Sequence, residues 1–164
     1  MADYITLDPR ATAVSRERSA RRYRSQAWAQ LQHASAAARE AGEHRDDALL
    51  DAELTTIRRH QVQARKMARD ARVASRAARD AAQDAIRLAA QSAGAARRPG
   101  AVQEVIDRAD TIAEQAEEAQ ELAVEAAGHA TRANLAVETI DAHLDVALMH
   151  ANVDAAVREA TAGQ

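Results

Sequence analysis

No cysteine and no phenylalanine occur in this chain. Without thiols there are no disulfide staples and no thiolate metal ligands, and the sequence suits a reducing interior. One Trp and two Tyr are the only aromatic residues. A thick core is therefore excluded, because a buried Leu or Phe contributes roughly 1.5–3 kcal/mol and a single methyl only about 0.8 kcal/mol. Two Pro and five Gly are all that punctuate 164 residues. Little in the chain stops a helix once it has started. No apolar run approaches the ~20 residues that cross a bilayer. Met1-Ala2-Asp3-Tyr4 has neither the basic nor the apolar stretch of a secretory leader. The expected location is the cytoplasm, or the inside of a particle assembled there.

Chemical motifs are missing as well. There is no phosphate-binding glycine loop, no nucleophile elbow and no Cys nucleophile. The six histidines are His33, His44, His60, His129, His143 and His150. None forms an i, i+4 pair, and none follows an acidic residue by three positions, the spacings of helical metal sites. His143 and His150 share a helix face but lie two turns, about 10.5 Å, apart. The expectation is therefore no catalytic residue, no cofactor, no metal and no enzyme activity.

Alanine is what the chain does have: 45 residues. Ala has the best helix propensity, and Arg, Glu, Gln and Leu follow closely. The pattern predicts an extended arm over residues 1–8. Asp8 then caps a helix with Pro9 at its first position. That helix is expected to run over about 9–41 and to end at Gly42, a residue suited to a left-handed C-terminal cap. A second helix is expected over about 46–92, started by Asp46 or Asp47. The strongest break is Gly94-Ala95-Ala96-Arg97-Arg98-Pro99-Gly100. The last helical region is expected over about 101–160, with Gly128 as a place where it could break.

Each helix carries an alanine seam repeating every seven residues. In the first it is Ala13, Ala20, Ala27, Ala34 and Ala41. In the second it is Ile57, Ala64, Ala71, Ala78 and Ala85, with Met67, Ala74, Ala81 and Leu88 between. In the last region Val102, Ala109, Ala116, Ala123, Ala130, Val137, Leu144 and Ala151 alternate with Val105, Ile112, Ala119, Ala126, Ala133, Ile140 and Ala147. Seven apolar repeats without a polar intrusion are a coiled-coil signal. The fold class that follows is all-α: a long alanine-rich antiparallel coiled-coil hairpin, or an elongated three-to-four-helix bundle.

Charge divides the chain. Residues 1–98 hold 19 Arg and Lys against 12 Asp and Glu, a charge of +7. Residues 99–164 hold 3 against 13, a charge of −10. The domains expected are thus a basic helical part, 9–98, and an acidic helical part, 99–164. At 100° per residue, Arg58, Arg65, Arg69, Arg72, Arg76 and Arg79 fall on one arc opposite the seam of the second helix. Asp107, Asp110, Glu114, Glu117, Glu118, Glu121 and Glu125 form an acidic stripe opposite the seam of the last region. Arg outnumbers Lys 21 to 1, and guanidinium pairs bidentately with carboxylate or phosphate. No aromatic residue interleaves with the arginines to stack bases.

These stripes are read as solvated faces, as protein contacts, or as phosphate contacts. Tyr23, Trp28 and Leu31 are the bulkiest group in the first helix and serve internal packing or partner docking. Tyr4, Ile5 and Leu7 of the arm suit a partner's groove. The expected function is a non-catalytic structural or assembly protein, self-associating or joined to other subunits, among which a phage or other large particle is a candidate setting. The alternatives are a nucleic-acid-associated protein using the arginine stripe, and an amphipathic coat of a membrane or granule.

Overall fold

A computed structural model describes residues 8–162 of the chain. It is all-α, with no strand among the described residues. Three long helices, α1 (Pro9–Leu50), α2 (Leu54–Ala96) and α3 (Gln103–Ala162), pack together.

The start of α1 is the one the sequence predicts. The Arg10 amide donates to Asp8 Oδ1 at 3.0 Å, and the Thr12 amide donates to the Asp8 carbonyl at 3.0 Å. Asp8 thus satisfies donors that the first turn cannot.

The first break differs from expectation. Gly42 does not end α1, and Asp46 and Asp47 do not begin α2; all three lie within α1. The reason is packing. The seven-residue repeat continues past Ala41 to Ala48, which is fully buried. Ala48 packs in a cluster with Ile57, Ala64, Ile140 and Leu144. Burying that last turn offsets the roughly 1 kcal/mol that an interior glycine costs a helix.

The true connection is Asp51-Ala52-Glu53. There the Glu53 amide donates to Asp51 Oδ1 at 2.9 Å. The Glu53 carboxylate accepts from Thr55 Oγ1 at 2.5 Å and Thr56 Oγ1 at 3.3 Å. The Glu53 carbonyl receives the Thr56 and Ile57 amides, each at 3.0 Å. These bonds cap the start of α2, the role that the sequence assigns to Asp46 or Asp47.

The second break falls where Pro99-Gly100 predicts it. Gly100 has φ 82°, a left-handed conformation that a side chain disfavours. α2 persists to Ala96, four residues beyond the expected end. α3 runs without interruption through Gly128.

The described chain clusters into two compact units, each built from a segment of all three helices. The first holds the residues up to Gln32 with Ala74–Ala127; the second holds His33–Val73 with the described residues from Gly128 onward. These units cut across the charge division at residue 98.

In the first unit the ion pairs Arg10–Glu104, Glu17–Arg108 and Arg24–Glu118 advance together along α1 and α3, so these segments run parallel. Its core is made by buried Ala13, Ala20, Ala78, Ala85, Ile112 and Ala119, among others. In the second unit one cluster gathers Ala37, Ala41, Met67, Ala68, Ala71, Ala130, Ala133 and Ala136. Among the described residues thirty apolar side chains are buried, and twenty-three of them are alanine. The core is therefore a set of methyl-lined contacts that demand short interhelical distances, toward the lower end of the usual 8–10 Å.

Seam positions are buried with few exceptions. Leu88, Val137 and Ala147 are half-buried, while Val102 and Ala151 are exposed. Val102 lies just before α3 and Ala151 in its exposed last stretch, while Val137 and Ala147 pack against the buried cluster of the second unit.

Candidate functional site

The arginines of the stripe are all exposed on α2, Arg58, Arg65, Arg69 and Arg72 in the second unit and Arg76 and Arg79 in the first. The structure divides them by what they touch. Arg65 pairs across to α3, where Asp141 Oδ2 accepts its guanidinium at 3.1 Å. Gln61 Nε2 donates to Asp141 Oδ1 at 2.7 Å beside it. Arg72 donates back to the Ala68 carbonyl at 3.3 Å. Arg58, Arg69, Arg76 and Arg79 have no ion pair among the described residues. Val62 and Val73 are interleaved with them, each 61% exposed.

The acidic stripe is exposed along α3 in the first unit. Glu118 is drawn into a contact with α1, receiving Arg24 at 2.8 Å. Asp107 accepts from Gln103 on its own helix at 2.8 Å. In the same unit, Arg108 of α3 sits between Glu104 at 3.1 Å and Glu17 of α1. Hydrogen bonds to Glu104 first, then to Glu17, hold its guanidinium more firmly protonated than usual.

Tyr23, Trp28 and Leu31 do not form one surface. Leu31 is 5% exposed and belongs to the core, so it is removed from any docking role. Tyr23 is half-buried. Trp28 is 56% exposed, in a shallow groove with Arg24, Ser25, Glu118, Glu121 and Leu122. Tyr4, Ile5 and Leu7 lie outside the described residues.

Two features were not visible to the sequence reading. The first is the C-terminal part of α3. Residues 151–162 are exposed throughout. In the second unit the α1–α2 connection lines a groove together with α3 residues from His143 to Asp154, Val146 among them, and α3 continues beyond it. Val146, Met149, Val153 and Val157 are 48%, 56%, 56% and 57% exposed. At 100° per residue these four share an arc of about 80°. The internal seam ends here, because its next positions are Asp154 and Arg158.

The second is a histidine pair. His44 Nδ1 and His60 Nδ1 lie 3.3 Å apart, with ring centroids 5.5 Å apart and planes tilted by 48°. Asp47, one turn after His44, completes a set whose three ligand atoms lie within 4.8 Å of one another. A search for paired ligands within one helix misses it, because the pair joins α1 to α2. With the first helix ended at Gly42, His44 falls in a loop and the pairing is lost. The signal was present nonetheless: His44 and His60 stand eight residues either side of Ala52, so a hairpin turning there places them opposite each other.

No helix among the described residues is long and apolar enough to cross a membrane. No family model, no curated protein and no solved structure matches this chain.

Proposed function

We propose that this is a non-catalytic structural protein that acts through helix–helix contact, with the C-terminal part of α3 as its principal contact surface and a second copy of the chain as its partner. The observation that carries this reading is the exposed stripe Met149, Val153 and Val157 toward the end of a helix that outruns its own neighbours. An isolated helical end of this kind gains most of its stability from packing an apolar face. These apolar positions lie on the face opposite the internal seam, which supports a different partner from α1 and α2. Closed homo-oligomers are the commonest assemblies of soluble proteins. A coiled-coil pairing of two such ends, and a place in a phage or other large particle, extend the same reading.

Sedimentation of the full chain over a wide concentration range tests it. Self-association that Val153→Asp with Val157→Asp abolishes is the expected result. A strict monomer at all concentrations and salt conditions would overturn it.

The second reading, nucleic-acid association, is favoured by Arg58 and Arg69 of the second unit, exposed on α2 without ion pairs among the described residues. Binding to a generic duplex that weakens steeply with salt is its signature. Absence of binding at low salt removes it.

A further inference from the structure

We propose that His44, Asp47 and His60 form a binding site for a divalent transition-metal ion of the zinc class, clipping the end of α1 to the start of α2. This inference is independent of the assembly reading and rests on different residues.

The geometry comes first. Zinc–nitrogen bonds of 2.0–2.1 Å at a tetrahedral angle place two ligand nitrogens about 3.3–3.4 Å apart. The two Nδ1 atoms are already at 3.3 Å. They come from different helices, so the spacing is not a by-product of one helix's periodicity. Both rings are half-buried beside the cluster of Ala48, Ile57 and Ala64, which limits their motion. Asp47 lies three residues after His44 on the same face of α1. Its side chain is exposed and free to swing inward, closing the set from its present span of 4.8 Å or less.

The chemistry of the pair agrees. Without a metal, the 3.3 Å separation fits a hydrogen bond in which one neutral ring is the Nδ1 donor and the other the Nδ1 acceptor. With a metal, both Nδ1 atoms turn their lone pairs to the ion. The donor ring then carries its proton on Nε2 instead, which requires no net gain or loss of protons. Two imidazoles and one carboxylate suit zinc and its first-row neighbours, whereas Mg²⁺ and Ca²⁺ prefer an all-oxygen shell. Three protein ligands leave further coordination positions to water.

The test uses the full chain after chelator treatment. Zn²⁺ is titrated calorimetrically, Co²⁺ is titrated by its visible absorption, and Mg²⁺ is the control. The expected result is saturable one-to-one Zn²⁺ binding, tetrahedral-type Co²⁺ bands, a raised melting temperature and no response to Mg²⁺. His44→Gln and His60→Gln each weaken Zn²⁺ at least tenfold while far-UV circular dichroism stays helical. Absence of saturable Zn²⁺ binding overturns the proposal, as does unchanged affinity in both histidine variants. Where a histidine variant loses helicity, Asp47→Asn carries the test: several-fold weaker binding supports the triad, and unchanged affinity overturns it.

Discussion

Replacing Gly42 with alanine separates two descriptions of the first helix by sign. Gly42 lies eight residues before the end of α1 at Leu50, and a Cβ built on it meets nothing within 4 Å. Its φ is not positive, since Gly100 is the only positive-φ glycine among the described residues. Alanine there adds no clash and restricts the unfolded chain. The expected gain is about 0.8–1 kcal/mol, the interior helix difference between the two residues. For a chain of this size each kcal/mol moves the midpoint by roughly 2–4 °C, so the melting temperature should rise by about that much. If Gly42 were instead a left-handed cap, alanine would cost roughly 1–2 kcal/mol and the midpoint would fall. Gly100→Ala is the internal control, because φ 82° makes it destabilising by the latter amount. Thermal unfolding followed by far-UV circular dichroism reads both. A lowered midpoint for Gly42→Ala would refute the continuous helix, and the packing argument for Ala48 with it.

Further predictions bear on the seam, the cap and the surface pairs. Ala71→Leu forces three extra carbons between Ala37, Ala41, Met67 and Ala133 and should cost about 1–3 kcal/mol by overpacking; Ala36→Leu, exposed on α1, is the control, and an unchanged midpoint for Ala71→Leu would mean the seam lies elsewhere. Asp8→Ala removes the cap on the Arg10 amide and should cost ~0.5–2 kcal/mol, seen as faster hydrogen exchange in the first turn of α1. Arg65→Ala breaks an exposed pair with Asp141 and should change stability by about 1 kcal/mol or less; a much larger loss in chemical denaturation would show that Gln61 and Arg65 act as one network.

How far the sequence could be read depends on the range of the interactions involved. The seam was legible because methyl groups every seven residues leave a helix no other face to bury, and Ala20, Ala27, Ala64, Ala71 and Ala119 are fully enclosed. Asp8-Pro9 and Pro99-Gly100 were legible because their effects are local and steric. The connection at Asp51–Glu53 was not. It contains neither Gly nor Pro, and it is held by the Asp51 carboxylate and the Glu53 carbonyl, groups that stand as readily within a helix. The outward direction of the charge stripes followed from periodicity alone. Which charges meet did not, because Arg24–Glu118 and Arg65–Asp141 depend on the register between helices. Trp28 shows the same limit: it shares a helix with the seam but sits off its buried arc. The histidine pair required the correct turn, and one misplaced helix end concealed it.

A core made of methyl groups also restricts how the sequence can drift. At Ala20, Ala71 or Ala119 the only smaller residue is glycine, which weakens the helix, and a larger one pushes two helices apart. Such positions have almost no neutral neighbours. The outer arcs carry no such restriction, since an exposed Arg or Glu can be exchanged at little cost to the fold. Mutational change should therefore accumulate around the alanines rather than at them, so that closely similar folds could present quite different charged faces to their partners.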